Sequence, residues 1–205
     1  MKIAIDGPAA AGKTTLAKAL AKALGFLFVP TGAMYRAAAL AHKRGLSLAD
    51  TEITVGEEGR IFLNGEDVTH LLSNPDLDEL SSKLAADARV RARLVELQRK
   101  IAAGRDVVME GRDIGTVVLP DAELKIFLWA TLEERARRRR REQGGSFEEV
   151  LEAIRRRDER DSTRSCSPLR PAPDAVLVDT TDKTPEEVLA LVLKLVEERR
   201  AKLGC

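Results

Sequence analysis

Gly7 to Thr14 reads Gly-Pro-Ala-Ala-Ala-Gly-Lys-Thr, which fits the spacing G-x-x-x-x-G-K-[ST]. The residues on either side narrow the possible folds further. Ile3, Ala4 and Ile5 form a short apolar run, and Leu16 to Leu24 continues with helical periodicity. Strand, glycine loop and helix together make a polyphosphate cradle. Glycine admits backbone angles that turn successive N–H groups inward, and the helix N-terminus adds its positive end. In such a cradle Lys13 reaches the β- and γ-phosphates and the Thr14 hydroxyl touches Mg²⁺. The expected contacts of the bound polyphosphate are Gly7, Pro8, Ala9, Ala10, Ala11, Gly12, Lys13, Thr14 and Thr15.

The rest of the chain alternates apolar runs with helical segments. Phe26 to Val29, Asp106 to Met109, Leu124 to Trp129 and Ala175 to Val178 read as further core strands. Ala33 to Arg44 reads as a helix with Thr31 as its N-cap. Thr131, Ser146 and Thr184 open later helices, the last with Pro185 at its first position. Residues 45–75 break this rhythm with two short strands, Ile53 to Val55 and Arg60 to Leu63. Two helical segments follow, Pro75 to Ala86 and Ala88 to Ala103. The pattern predicts an α/β fold of three layers around a five-stranded parallel sheet, with a small insert and an arginine-rich lid. One domain is expected over 1–205: a core of about 1–44, 104–130 and 171–205, an insert of about 45–103 and a lid of about 131–165. Ligands of such sheets sit outside the carboxyl ends of the strands, where Gly7, Thr31, Gly111 and Trp129 all fall. Trp129 itself reads as packing.

A net charge of +1 supplies no global field toward nucleic acid or a membrane. No apolar run reaches the length of a membrane span, and the first residues form a core strand rather than a signal segment. The expectation is a soluble, cytoplasmic monomer. Cys166 and Cys205 are far apart and read as free thiols, and His42 and His70 as isolated surface or structural residues.

Three further stretches carry chemistry. Glu110, Gly111, Arg112 and Asp113 follow a core strand; a carboxylate there can hold the Mg²⁺ hydration shell, and Arg112 can fork onto a phosphate. Arg36 lies just over a turn into a helix starting at the same sheet edge, in reach of an acceptor's phosphate. Arg135, Arg137 to Arg141, Arg155 to Arg157, Arg160 and Arg164 crowd two helices around Gly144 and Gly145. Arginines on a hinged lid suit phosphoryl transfer, whose transition state spreads negative charge over equatorial oxygens. Consecutive arginines point all round a helix, so several of them face solvent.

Taken together, the Ile5–Pro8, Thr31–Arg36, Gly65–Val68, Arg89–Arg91, Gly111–Val118, Pro120–Ala122 and Arg157–Asp161 stretches, with Ser82, resemble the bacterial cytidylate kinases of the P-loop nucleoside monophosphate kinase group. The resemblance implies transfer of the γ-phosphoryl group of ATP, with Mg²⁺, to CMP or dCMP. It places Thr31, Ser82, Arg91 and Asp113 at the cytosine, and Arg36 and Arg112 at the acceptor phosphate. Asp161 and Arg164 fall at the sugar, and Arg157 serves the transferring phosphate. Lys13, Arg112, Arg157 and Arg160 are the catalytic candidates, and Thr14 and Glu110 the metal candidates. Three positions depart from the family pattern: Thr14 follows Lys13 directly, Pro30 replaces an acid, and Glu110 replaces a shorter acid. The alternatives are a P-loop kinase with another acceptor, such as UMP or AMP, and a nucleotide-gated RNA-binding protein. Paired acids and scarce aromatics argue against the latter and against a nucleic-acid partner.

Overall fold

A computed structural model of the chain describes residues 1–204. Cys205, one of the two expected free thiols, lies outside the described residues; Cys166 is free and half-buried. The core sheet takes strands β1 (Lys2–Asp6), β2 (Leu27–Pro30), β6 (Val107–Gly111), β7 (Leu124–Trp129) and β8 (Val176–Asp179) in the order β2-β6-β1-β7-β8, every neighbour parallel.

The period-two alternation of these strands divides the core. Ile3, Ile5 and Val108 pack on one side with Leu16 and Leu20 of α1 (Lys13–Leu24) and Val188, Val192 and Val196 of α7 (Pro185–Leu203). Ala4, Val107 and Met109 face the other side, against α2 (Thr31–Lys43) and α4 (Ala88–Ala102). Helix, sheet, helix is therefore the layer order that apolar strands with two buried faces require.

The insert holds a three-stranded antiparallel sheet, β3 (Ile53–Val55), β4 (Ile61–Leu63) and β5 (Glu66–Asp67), followed by α3 (Pro75–Leu84). Asn74 caps α3 through Asp76 N, and Asp87 caps α4 through the amides of Arg89 and Val90. The segment expected as a lid is a helix pair, α5 (Leu132–Gln143) and α6 (Phe147–Thr163), joined through Gly144 and Gly145. Thr131, Ser146 and Thr184 cap α5, α6 and α7 as the sequence predicts.

Several expectations are corrected. Thr31 is not an N-cap: the helix begins at Thr31 itself, Pro30 holds the cap position, and the Thr31 hydroxyl donates instead to Glu110 O at 2.6 Å. Strand β5 was not expected, because its two residues, Glu66 and Asp67, are acidic. Ile114–Val118, to which the sequence assigns no element, winds as one π-helical turn. Trp129 is 41% exposed, so it packs only in part. His42 and His70 are both exposed. No described helix is long and apolar enough to cross a membrane.

Candidate active site

The sheet register brings the chemistry to one edge. Pro30 pairs with Glu110, Ile5 also with Glu110, and Asp6 with Gly111. From this edge β1 leads into the glycine loop and β6 into Arg112 and Asp113.

The loop takes its shape partly from close packing. A Cβ on Gly7 would lie 2.2 Å from Leu128 O, so only glycine fits beside β7. Gly12 is left-handed at φ 93, and so is Ala10 at φ 60, a strained non-glycine position inside the loop. Lys13 is buried, and its Nζ donates to Pro8 O at 2.7 Å, folded across the loop. Burial, reinforced by Arg112 and Arg157, pushes the Lys13 ammonium well below its ordinary pKa. A polyphosphate would reverse that penalty. Thr14 Oγ1 donates to Glu110 Oε1 at 2.8 Å, so the two metal candidates meet at the foot of the loop. Glu110, the longer acid of the departure noted above, spans from β6 to α1 to do so.

Asp6, missed in the sequence, stands beneath both loops. Its carboxylate accepts from Ile114 N at 2.9 Å and Gly115 N at 2.8 Å, tying the end of β1 to the π-helical turn. Burial raises its pKa to about 6 against the pull of those amides. A lone acid ending an otherwise apolar strand was the available signal.

A cleft of about 550 Å³ opens beyond the loop, between α5 and the segment joining β8 to α7. Ala10, Ala11, Gly12 and Thr15 form its floor, and Thr180 to Thr184 and Arg138 its walls. Arg138 Nη1 donates to Thr180 Oγ1 at 2.9 Å, and Thr180 Oγ1 donates to Ala11 O at 3.2 Å. Thr180 carried no motif; its place directly after the last core strand was the only clue.

On the other side of Lys13 lies a narrow recess of about 40 Å³. Thr31, Ser82, Arg91, Arg112 and Asp113 line it, together with Arg157, Asp161 and Arg164 from the lid side. The structure thus gathers these expected substrate residues in one place. Arg36 lies outside the lining residues, 3.9 Å from Asp78 and in the fields of Arg157 and Arg112. Arg91 and Asp113 form a buried ion pair, with Arg91 also donating to Ala85 O at 3.1 Å and lying 5.3 Å from the Tyr35 ring. Tyr35 OH is buried without a hydrogen-bond partner, and burial raises the phenol's pKa.

Arg112 uses Nε on Asp161 Oδ2 at 3.0 Å, which leaves its Nη fork for another anion. Burial opposes its charge, but Asp161 and Glu110 outweigh that and hold its proton more firmly. Asp161 is held below the ordinary carboxylate range, burial being overcome by Arg112, Arg157 and Arg164. Arg160 Nη1 donates to Ser82 Oγ at 2.8 Å, and Arg157 Nη1 to Asp78 Oδ2 at 2.5 Å.

The arginine run sorts by helix face. Arg137 and Arg140 are exposed, as expected for spectators, whereas Arg141, also exposed, lines the large cleft. Arg138 faces the large cleft. Arg139 faces the other way, with its pKa lowered by burial and by Arg157 and Arg112, in the field of Asp78. Arg135 is buried and structural: it donates to Ala130 O, Ala9 O and Asp158, fastening the lid to the glycine loop.

A glycine loop with its lysine, a cleft on one side and an arginine-lined recess on the other define the class of P-loop phosphotransferases. A shikimate kinase structure from Bacteroides thetaiotaomicron shares the fold, with a TM-score of 0.53 at 16% identity over 96% of this chain and 98% of that one. Residues 3–198 match the cytidylate kinase family, and the chain belongs to that family. The cytidylate kinase of Carboxydothermus hydrogenoformans is 51% identical over 96% of this chain and 97% of its own length. That of Caldanaerobacter subterraneus subsp. tengcongensis is 50% identical over 97% and 95%.

Proposed function

We propose that the protein transfers the γ-phosphoryl group of ATP to CMP or dCMP, giving ADP and CDP or dCDP. One observation carries the reading: the buried Lys13 is folded onto the glycine loop through Pro8 O and lies in the fields of Arg112, Arg157 and Asp161, which line the recess, so two anionic substrates can meet head to head there. Family membership supports a cytidine nucleotide as acceptor.

In this reading the adenosine of ATP occupies the cleft beside Arg138 and Thr180, and its phosphates lie along the amides of residues 7–15. The acceptor phosphate lies between Arg36 and Arg112. Its oxygen attacks the γ-phosphorus directly, the bond to the bridging oxygen breaks, and ADP leaves; no protein nucleophile is needed. Lys13, Arg157 and Arg160 cover the charge of the transferring group.

The cytosine sits against Asp113, Arg91, Ser82 and Thr31, with Asp161 and Arg164 at the sugar. Arg91 engages Asp113 Oδ2, leaving Oδ1 to accept from an exocyclic amine. A uracil carbonyl at that position would face a carboxylate, and mismatched buried polar groups discriminate strongly. Thr14 and Glu110 fit Mg²⁺, because a hydroxyl and a carboxylate are hard oxygen donors and they already converge. No group of three or more acids, His or Cys suited to a metal exists among the described residues, in keeping with an ion held mainly by phosphate and water. Bound there, Mg²⁺ would neutralise phosphate charge.

The proposed division of labour follows the segments: a core of about 1–44, 104–130 and 171–205 for the donor, an insert of about 45–103 for the base, and a lid of about 131–165. The proposed working form is a cytoplasmic monomer with no nucleic-acid partner. A coupled assay with CMP, dCMP, UMP and AMP at equal concentration tests the function. CMP and dCMP should give the highest kcat/KM; a preference for UMP or AMP overturns it.

A further inference from the structure

Beside the acceptor recess, bonded to its lining residue Arg157, stands an acid that the reaction does not call for. Asp78, on the first turns of α3, points its carboxylate into the arginine group expected to hold phosphate. Arg157 Nη1 donates to its Oδ2 at 2.5 Å, and Arg36 Nη1 lies 3.9 Å from its Oδ1. Asp78 also lies in the fields of Arg139 and Arg112. The next residue repeats the arrangement, since Glu79 accepts from Arg160 at 3.2 Å. Burial would raise the Asp78 carboxyl, but Arg157, with Arg36 and Arg139, holds it below the ordinary range, so it is an anion at neutral pH.

A carboxylate among guanidinium groups resembles a phosphate in charge and in accepting forked N–H donors. The same groups cannot serve both anions fully. Asp78 is also only about a third exposed, at 34%, so solvent screens its repulsion of a nearby phosphate incompletely. Four cations face this point, Arg36 from α2, Arg112 after β6, Arg139 from α5 and Arg157 from α6, and two further acids, Glu110 and Asp161, share Arg36, Arg112 and Arg157 with it. Among the described residues Asp78 is the one acid hydrogen-bonded to Arg157, and with Glu79 it links helix α3 to helix α6 beside the recess.

We propose that Asp78 is an internal competitor of the acceptor phosphate: it pairs with Arg157 and Arg36, closes α3 onto α6, and must yield these donors when the nucleotide's phosphate enters. Its competition for Arg36 sets the acceptor KM, and its hold on Arg157, placed above at the transferring group, must be released before the chemistry. This rests on the CMP kinase reading above.

The test is Asp78→Asn, which keeps the shape and removes the charge, beside Asp78→Glu, which keeps the charge. Steady-state kinetics should show the KM for CMP falling about three- to tenfold in Asp78→Asn, as loss of one partly screened repulsion implies. The KM for ATP should stay the same, and so should the inhibition constant of cytidine, which has no phosphate. Asp78→Glu should stay near wild type, and Asp76→Asn, exposed on the same helix, should change nothing. Asp78→Ala guards against an asparagine-specific effect. A KM for CMP unchanged or raised in Asp78→Asn and Asp78→Ala overturns the proposal, as does an equal shift for cytidine, which would mark a purely structural role. Failure of the wild type to phosphorylate CMP would instead sink the functional reading on which it rests.

Discussion

Arg91 and Asp113 pair inside the protein and join helix α4 of the insert to the turn that follows β6. Both side chains are at most 5% exposed, so neither charge has water to fall back on. Removing one partner strands the other, which costs about 3–5 kcal/mol for a buried pair. Asp113→Asn should therefore lower unfolding stability by roughly that amount in urea titrations. It should also narrow the preference for CMP over UMP, because an amide can donate to a uracil carbonyl. The double variant Arg91→Met with Asp113→Leu should recover most of the stability and none of the CMP activity. A stability loss below about 1 kcal/mol for Asp113→Asn would contradict the isolation of this pair.

The core was legible because its strands are short aliphatic runs and its helices begin with cap residues that act locally: Thr131, Ser146 and Thr184 each bind the amide three residues on. Features set by distant partners were not legible. Thr31 has the look of a cap, yet its hydroxyl is drawn to Glu110 O, a contact across 79 residues. The π-helical turn at Ile114–Val118 is held from below by Asp6, again a long-range bond. Five consecutive arginines look equivalent in sequence. Only the helix orientation divides Arg138, on the large cleft, from Arg139, in the fields of Asp78, Arg157 and Arg112. Asp78 escaped notice because an acid near a helix start normally serves the helix end.

Lys13 separates function from stability. Its charge is disfavoured by burial and by Arg112 and Arg157, with Glu110 and Asp161 offsetting only part. Lys13→Met removes that burden together with the group proposed to meet the phosphates. Turnover should fall by about a thousandfold, the scale of losing a donor aimed at developing charge, while the melting temperature stays level or rises. A folded variant with near-normal turnover would remove Lys13 from the catalytic set.

Asp6 should leave a signature in the pH dependence of stability. Its folded pKa is about 6 against 3.8 for the ordinary group, so the native state binds its proton more tightly than the unfolded chain. The stability this contributes is complete below pH 4 and is lost as pH rises toward 6, in total roughly 3 kcal/mol at about 1.4 kcal/mol per pKa unit. Asp6→Asn cannot titrate. The stability of the wild type minus that of the variant, measured by urea unfolding from pH 4 to pH 7, should therefore decline by that order. A difference that stays flat across the window would show that the two amide bonds, not burial, govern the carboxyl.

Gly111 tests whether the acceptor recess depends on close backbone approach. A Cβ at this position would lie 2.5 Å from Thr31 Oγ1 and 2.9 Å from Ile114 Cδ1. Neither neighbour can give way easily: the Thr31 hydroxyl is bonded to Glu110 O, and Ile114 is fully buried beneath the turn. Gly111→Ala must therefore push the start of α2 away from β6, at about 1–3 kcal/mol for overpacking of this kind. The displaced residues include Thr31 and, a turn later, Arg36, while the glycine loop rests on β1 and β7. The KM for CMP should rise at least tenfold with the KM for ATP nearly unchanged, measured on the same preparation. Equal rises in both constants would mean that the two halves of the site are not positioned independently.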